Sequence, residues 1–188
     1  MSKGWLNKQE IEDLGLKGVG DNVLISSKCS LYGCENISIG SNVRIDDFVT
    51  ISASKEIKIG NNVHIGANSY IAGAEEIEIC DFSGISQSVR IYSTVDDFYG
   101  FGLSNPMVET EFRNTTSKPV KLSKYSLIGS GAVIFPGVTV GFNSAIGAMS
   151  VVNKSIKDNM LAFGNPCKTI VKRSQQGYKK YEEKKCLN

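Results

Sequence analysis

The run Val19-Gly-Asp-Asn-Val-Leu-Ile25 returns as Ile39-Gly-Ser-Asn-Val-Arg-Ile45 and again as Ile59-Gly-Asn-Asn-Val-His-Ile65. A degenerate copy, Ile79-Cys-Asp-Phe-Ser-Gly-Ile85, follows, each copy twenty residues after the last. Within the copies, aliphatic residues stand six apart: Val19, Ile25, Leu31; Ile39, Ile45, Ile51; Ile59, Ile65, Ile71; Ile79, Ile85, Ile91. After an interruption the spacing resumes as Leu122, Ile128, Ile134, Val140, Ile146 and Val152, now eighteen residues per round. Three sixes per round predict three short flat faces and three corners, with one branched aliphatic from each face pointing inward. No round can bury its own apolar side chains, so successive rounds must stack and pair strand on strand. The strands of a β-sandwich do not keep a fixed six-residue spacing over about a hundred residues. The repeat therefore predicts an all-β solenoid of triangular section.

Composition agrees with that reading and narrows the function. Ile (19) and Val (15) together outnumber Leu (10), which favours strands over helices. Lys+Arg 21 against Asp+Glu 19 is too even for a protein built around nucleic acid phosphates. No apolar run reaches membrane-span length, and Met1-Ser2-Lys3-Gly4-Trp5 opens without a signal-peptide core. The five cysteines (Cys29, Cys34, Cys80, Cys167, Cys186) are odd in number and have no C-x-x-C pairing. These features predict a reduced, cytoplasmic protein with no membrane partner. Small and polar corners such as Gly40-Ser41-Asn42, Gly60-Asn61-Asn62 and Gly141-Phe142-Asn143 suit sharp turns and left-handed backbone.

Three segments depart from the repeat. Residues 92–119 break it with an aromatic, Gly-rich stretch, Tyr92-Ser-Thr-Val-Asp-Asp-Phe-Tyr-Gly-Phe-Gly-Leu-Ser-Asn-Pro106, and a polar one after it. A loop that long inside a compact solenoid points to function. Residues 1–18 read as an N-terminal cap, with a short helix over Lys8 to Leu14 closing the first round. Residues 172–188 form a charged tail, and the stretch 174–185 reads equally as a terminal helix or as a solvated segment.

The sixfold pattern over residues 19–171 resembles the hexapeptide-repeat acyltransferases. The resemblance is most specific at Ile128-Gly-Ser-Gly-Ala-Val-Ile-Phe-Pro-Gly-Val-Thr-Val-Gly141, Ile146-Gly-Ala-Met-Ser-Val-Val152 and Phe163-Gly-Asn-Pro166. It implies a left-handed parallel β-helix and a homotrimer with active sites shared between copies, the long loop reaching a neighbour. It also implies acyl transfer from a coenzyme A thioester, a co-substrate, with no tightly bound cofactor and no metal. The pantetheine arm would then lie against Gly129-Ser130 and Gly147-Ala148, with Lys154, Lys168, Lys172 and Arg173 as candidates for the coenzyme's phosphates.

On the acceptor side the sequence departs from the galactoside and maltose acetyltransferases, which carry a base histidine after the third coil. Here that stretch, Tyr92 to Tyr99, holds no His, and His64 is the chain's sole histidine. A sugar hydroxyl needs a base near the working pH. An amine with a pKa of about 8 is partly neutral already and can attack unaided. The candidate catalytic residues are Asp96, Asp97 and His64; Asp96 and Asp97 are not separable from sequence. The stretch 93–100 with Asn105-Pro106-Met107-Val108 also resembles enzymes that acylate dTDP-linked amino-deoxyhexoses for surface polysaccharide, with acetyl or 3-hydroxyacyl donors. Tyr92, Tyr99 and Phe101 are then candidates to stack on the acceptor, and Asn105 and Arg113 to bind it. An O-acetyltransferase acting on a sugar hydroxyl is the alternative. A metal-dependent prism of the carbonic anhydrase kind needs three histidines, and one is present.

Overall fold

The computed structural model describes residues 4–186. The inward aliphatics do what their spacing predicts. Three parallel sheets wrap one core. Face one holds Gly18–Val19, Ile37–Ile39, Ile57–Ile59, Ile77–Ile79, Val120–Leu122 and Thr139–Val140. Face two runs from Val23–Ile25 through Val43–Ile45, His64–Ile65, Gly84–Ile85, Leu127–Ile128 and Ala145–Ile146 to Met160–Phe163. Face three stacks Ser30–Tyr32, Thr50–Ala53, Tyr70–Gly73, Arg90–Tyr92, Val133–Ile134 and Val151–Val152. The result is a left-handed parallel β-helix of about seven turns.

Register keeps each aliphatic column unbroken across the interruption: Ile79 pairs with Leu122, Ile85 with Ile128 and Ile91 with Ile134. Ile45, Ile51, Ile65, Ile71, Ile85 and Ile91 are all but inaccessible. Each such side chain contributes about 1.5–3 kcal/mol. Val19 departs from its column, for it is 43% exposed. It lies in the outermost strand of face one, with a coil on one side only. At the other end the six-residue spacing fails after Val152. Ile156 bridges to Val140 and Ala162 pairs with Ile146, so the last turn closes with a shortened corner.

Corner one separates the jobs of glycine and asparagine. Gly40 and Gly60 are there because coils stack closely: a Cβ on Gly40 would lie 2.7 Å from the Gly60 carbonyl carbon. The left-handed residue is instead the third of each corner, Asn22, Asn42, Asn62, Asn143 and Asn159, with φ between 48° and 57°. Phe82 and Tyr125 take the same backbone at φ 58° and 63°. Their rings stack at 5.1 Å, and helix α2 (Gln176–Cys186) docks there through Tyr178 and Tyr181. The tail is thus helical over most of the stretch left open by sequence. Helix α1 (Lys8–Glu12) is closed by a capping box between Asn7 and Glu10 and buries Ile11 against the core.

The outward side of face one carries a ladder of charges, with Lys121 bonded to Glu78 at 2.6 Å. Face two presents Gly84, Leu127, Ala145 and Leu161 along its later coils. Ile65→Ala is expected to lower unfolding free energy by about 2–5 kcal/mol in chemical denaturation, through a cavity no neighbour can fill. Lys58→Ala on the exposed face-one ladder should stay within about 0.5 kcal/mol of the parent.

Candidate active site

The corner between faces two and three gathers the first part of the site. One position recurs there in successive coils as Ser26, Asp46, Gly66, Ser86, Gly129 and Gly147, each immediately after the inward aliphatic of face two. His64 is register partner to Arg44 in the coil before and to Gly84 in the coil after. Its Nε2 lies 2.8 Å from Asp46 Oδ2, while Arg44 Nε donates to Asp46 Oδ1 at 2.6 Å. Burial pushes the Asp46 carboxyl up, but the hydrogen bonds from His64 and Arg44 outweigh it and hold the group below its usual range. Asp46, His64, Gly66, Gly84, Ser86, Gln87 and Leu127 line one depression of about 270 Å³. Gly66 and Gly84 add no side chains to it, so the imidazole flank stays open, and the His64 side chain is 51% exposed.

The interrupting loop leaves from a different edge. It departs after Tyr92 at the corner between faces three and one and returns at Val120. Its base is an antiparallel ribbon of Thr94–Val95 with Thr116–Ser117. Asp97 then organises the turn above: its carboxylate accepts from Tyr99 N at 2.8 Å, Gly102 N at 3.0 Å and Asn114 Nδ2 at 3.3 Å. The Tyr99 backbone N–H is the largest cause holding the Asp97 carboxyl below its ordinary range, partial desolvation opposes it, and Asn114 and Gly102 add to it. Asp96 is exposed and has no hydrogen-bond partner among the described residues. Sequence left this pair open; geometry gives Asp97 the loop and leaves Asp96 free.

The loop's aromatic residues face solvent, with Phe98, Tyr99 and Phe101 each more than 80% exposed. Tyr99 and Phe101 lie 6.4 Å apart, and Tyr92 meets Tyr70 on face three at 5.8 Å. Asn105 takes a left-handed turn at φ 79° and accepts from Met107 N. Arg113 Nη2 donates to Thr110 Oγ1 at 3.0 Å, and its buried Nε has no partner among the described residues.

The late coils place Gly129, Ser130, Gly147 and Ala148 at the same corner as Ser86, one and two strands on. Stacking alone demands the glycines. A Cβ on Gly129 would lie 2.5 Å from Ala148 N, and one on Gly147 would lie 2.7 Å from Phe163 Cβ. Ser130 Oγ reaches Gln87 Oε1 at 3.1 Å. Lys168 and Lys172 are exposed on the strand Lys168–Lys172, which turns back antiparallel on Met160–Phe163. Lys154 is exposed just beyond face three. Arg173 is engaged elsewhere: its Nη1 donates to the carbonyls of Tyr125 and Ser144 at 3.1 and 3.2 Å, tying the tail to corner one. Burial pushes its pKa down.

Sequence reading did not find Asp46, Ser86 or Gln87 as site residues. The coil period held the signal for the first, since Asp46 stands two residues after Arg44, which is one full round before His64. Among the described residues no three His, Cys, Asp or Glu side chains gather where a metal could sit, and no helix is long and apolar enough to cross a membrane.

Comparison with known proteins places this architecture. The hexapeptide repeat of succinyl-transferase matches residues 56–81 and 119–154. A dTDP-4-amino-4,6-dideoxy-D-glucose acyltransferase of Escherichia coli is 41% identical over 173 residues, 92% of this chain and 90% of that one. The chain belongs to the hexapeptide-repeat acyltransferases and is an acyltransferase. Within that class, AntD, an N-acyltransferase from Bacillus cereus, is 36% identical. The structure of its aspartate-to-alanine mutant with dTDP and coenzyme A has a TM-score of 0.94, covering 99% of this chain and 100% of that one. Galactoside O-acetyltransferase of Escherichia coli is 50% identical over 54 residues, 29% of this chain and 27% of that one.

Because the folded-state Asp97 carboxyl is held below its ordinary value, its contribution to loop order is complete above the unfolded value of about 3.9. It is lost as pH falls through the lower folded value. Amide exchange at Tyr99 and Gly102 should therefore show constant protection from about pH 7 to pH 5 and decline only below about pH 4. Asp97→Ala should abolish that protection at every pH.

Proposed function

We propose that this acyltransferase moves an acyl group from coenzyme A to the amino group of a dTDP-linked amino-deoxyhexose. The observation that carries the reading is the match to AntD, which spans the interrupting loop as well as the coils. AntD has been seen with dTDP and 3-hydroxybutyryl-CoA, and with dTDP-4-amino-4,6-dideoxyglucose and coenzyme A. Single replacements of one aspartate and of one serine ten positions before it have been made in AntD. Ser86 and Asp96 stand at the same separation here, and Asp97 has no serine ten positions before it. Asp96 is accordingly the carboxylate that receives the acceptor's ammonium and orients the amine, and Asp97 shapes the loop that presents it. The amine attacks the thioester carbonyl along the corner lined by Ser86, Gly129, Ser130, Gly147 and Ala148. Lys154, Lys168 and Lys172 are the cations offered to the coenzyme's phosphates, and Tyr92, Tyr99, Asn105 and Arg113 are the side chains offered to the nucleotide sugar.

The loop and the His64 corner occupy two different edges of one prism, with face three between them. The exposed rings on the loop are left uncovered by the described residues of their own chain. A homotrimer, in which each loop crosses to a neighbour's corner, joins the two halves of the site and covers those rings. The product suits surface polysaccharide such as lipopolysaccharide or capsule, made from cytoplasmic nucleotide sugars.

Release of coenzyme A thiol should be measured with acetyl-CoA and 3-hydroxybutyryl-CoA against two sets of acceptors. One set holds dTDP- and UDP-linked amino sugars, and the other galactosides, maltose and glucose. Turnover is expected with dTDP amino sugars alone, and turnover confined to hydroxyl acceptors would refute the proposal. Asp96→Asn should lower kcat/KM for the amino sugar by about 10- to 100-fold, the worth of one charge-assisted hydrogen bond.

A further inference from the structure

Attack by the amine sheds a proton, and holding the acceptor's ammonium does not require Asp96 to take it. The depression at corner two contains a group suited to the task. His64 Nε2 and Asp46 Oδ2 lie 2.8 Å apart, and the second Asp46 oxygen is held by Arg44 Nε at 2.6 Å. With Asp46 ionised, Nε2 must carry the proton of a neutral imidazole. That leaves the lone pair on Nδ1, for which no partner exists among the described residues. Ser86 lines the same depression.

Arg44 is itself held from behind. Trp5 forms an antiparallel bridge with Ser26, and Leu6 N donates to the Ile25 carbonyl, so the N-terminal arm lies along the first coil of face two. The Trp5 ring then stands 5.4 Å from the Arg44 guanidinium. A chain of contacts runs from Trp5 through Arg44 and Asp46 to the imidazole. Asp46 is also far less accessible than the ring it holds, at 17% against 51%. An exposed ion pair made for stability alone would gain little here. A carboxylate clamped on one side and bonded to a half-exposed imidazole on the other is the arrangement that fixes a histidine's tautomer and direction.

We infer that His64 accepts the proton released by the attacking amine and that Asp46 is the residue that positions it. This inference rests on the N-acyl transfer proposed above. In the step, the amine nitrogen bonds to the thioester carbonyl carbon and the C–S bond breaks. One N–H proton passes to His64 Nδ1 and then to the departing thiolate, giving amide and free thiol. The charged groups facing His64 are Asp46 and Arg44, both from the preceding coil. The following coil contributes Gly84, Ser86 and Gln87, which carry no charge.

The test uses the full-length protein, its preferred amino sugar and acyl-CoA. His64→Gln should lower kcat by about a hundredfold or more, and Asp46→Asn by about tenfold or more. KM for acyl-CoA should stay within about twofold in both. The double variant should be no slower than His64→Gln alone, because Asp46 acts only through the ring. A merely structural Asp46 would lower thermal stability in Asp46→Asn and lose kcat additively with His64→Gln. Full activity in His64→Gln, or strictly additive losses in the double variant, would overturn the relay while leaving N-acyl transfer intact. Failure of the parent protein to turn over any amino sugar would instead overturn the reading on which the relay rests.

Discussion

Coil-on-coil stacking governs this molecule. Each strand is only two to five residues long, too short to hold a sheet by itself, yet every face continues the one beneath it through parallel pairing. Ile25, Ile45, Ile65, Ile85, Ile128 and Ile146 form one column whose members are each almost wholly inaccessible. Backbone bonds repeat with the same regularity, as when Gly40 N reaches the Ile59 carbonyl and Gly60 N the Ile79 carbonyl. The core is consequently one residue deep per face, and its stability is a sum over neighbouring coils.

The same stacking limits where chemistry can occur. Main-chain donors at the corners are largely taken by the next coil: Gly129 N by Ile146 O, Gly147 N by Ala162 O, Ser86 N by Ile128 O. Inward positions are apolar. What remains are outward side chains at the corners and any segment that leaves the prism. Asp46, His64 and Ser86 fall in the first class, and Asp96 and the exposed rings in the second. A small period thus turns residues about twenty apart in sequence into neighbours on one edge.

Much of this was legible in the chain. The sixes located the inward columns, and the break at Tyr92 located the loop, because both are periodic facts that need no tertiary knowledge. Other features were not legible for physical reasons. Whether Asp96 or Asp97 is free depends on which carboxylate folds back onto Tyr99 N and Gly102 N, a choice of local turn that two adjacent aspartates do not advertise. Arg173 read as a cation for phosphate because its sequence neighbours are lysines. Its burial against the Tyr125 and Ser144 carbonyls arises from the return of the tail to corner one. The last turn escaped the spacing because its corner is shortened, leaving Ile156 and Ala162 off the six-residue grid.

Aromatic residues mark the two places where the prism stops being self-sufficient. At corner one, Phe82, Tyr125 and Phe142 replace the polar residues of earlier coils, and α2 of the same chain covers them with Tyr178 and Tyr181. On the loop, Phe98, Tyr99 and Phe101 form a second group that this chain leaves uncovered. The contrast is informative because both groups arise in one protein under one set of packing rules. Where the chain can supply its own cover, it does so with a helix tied down by Lys124, Tyr125 and Glu182. Leaving the second group bare costs apolar exposure, and that cost is removed when another copy's surface meets the loop. The homotrimer proposed above is an arrangement that would hide these rings and, by the same contact, bring Asp96 of one prism to a neighbour's His64 corner.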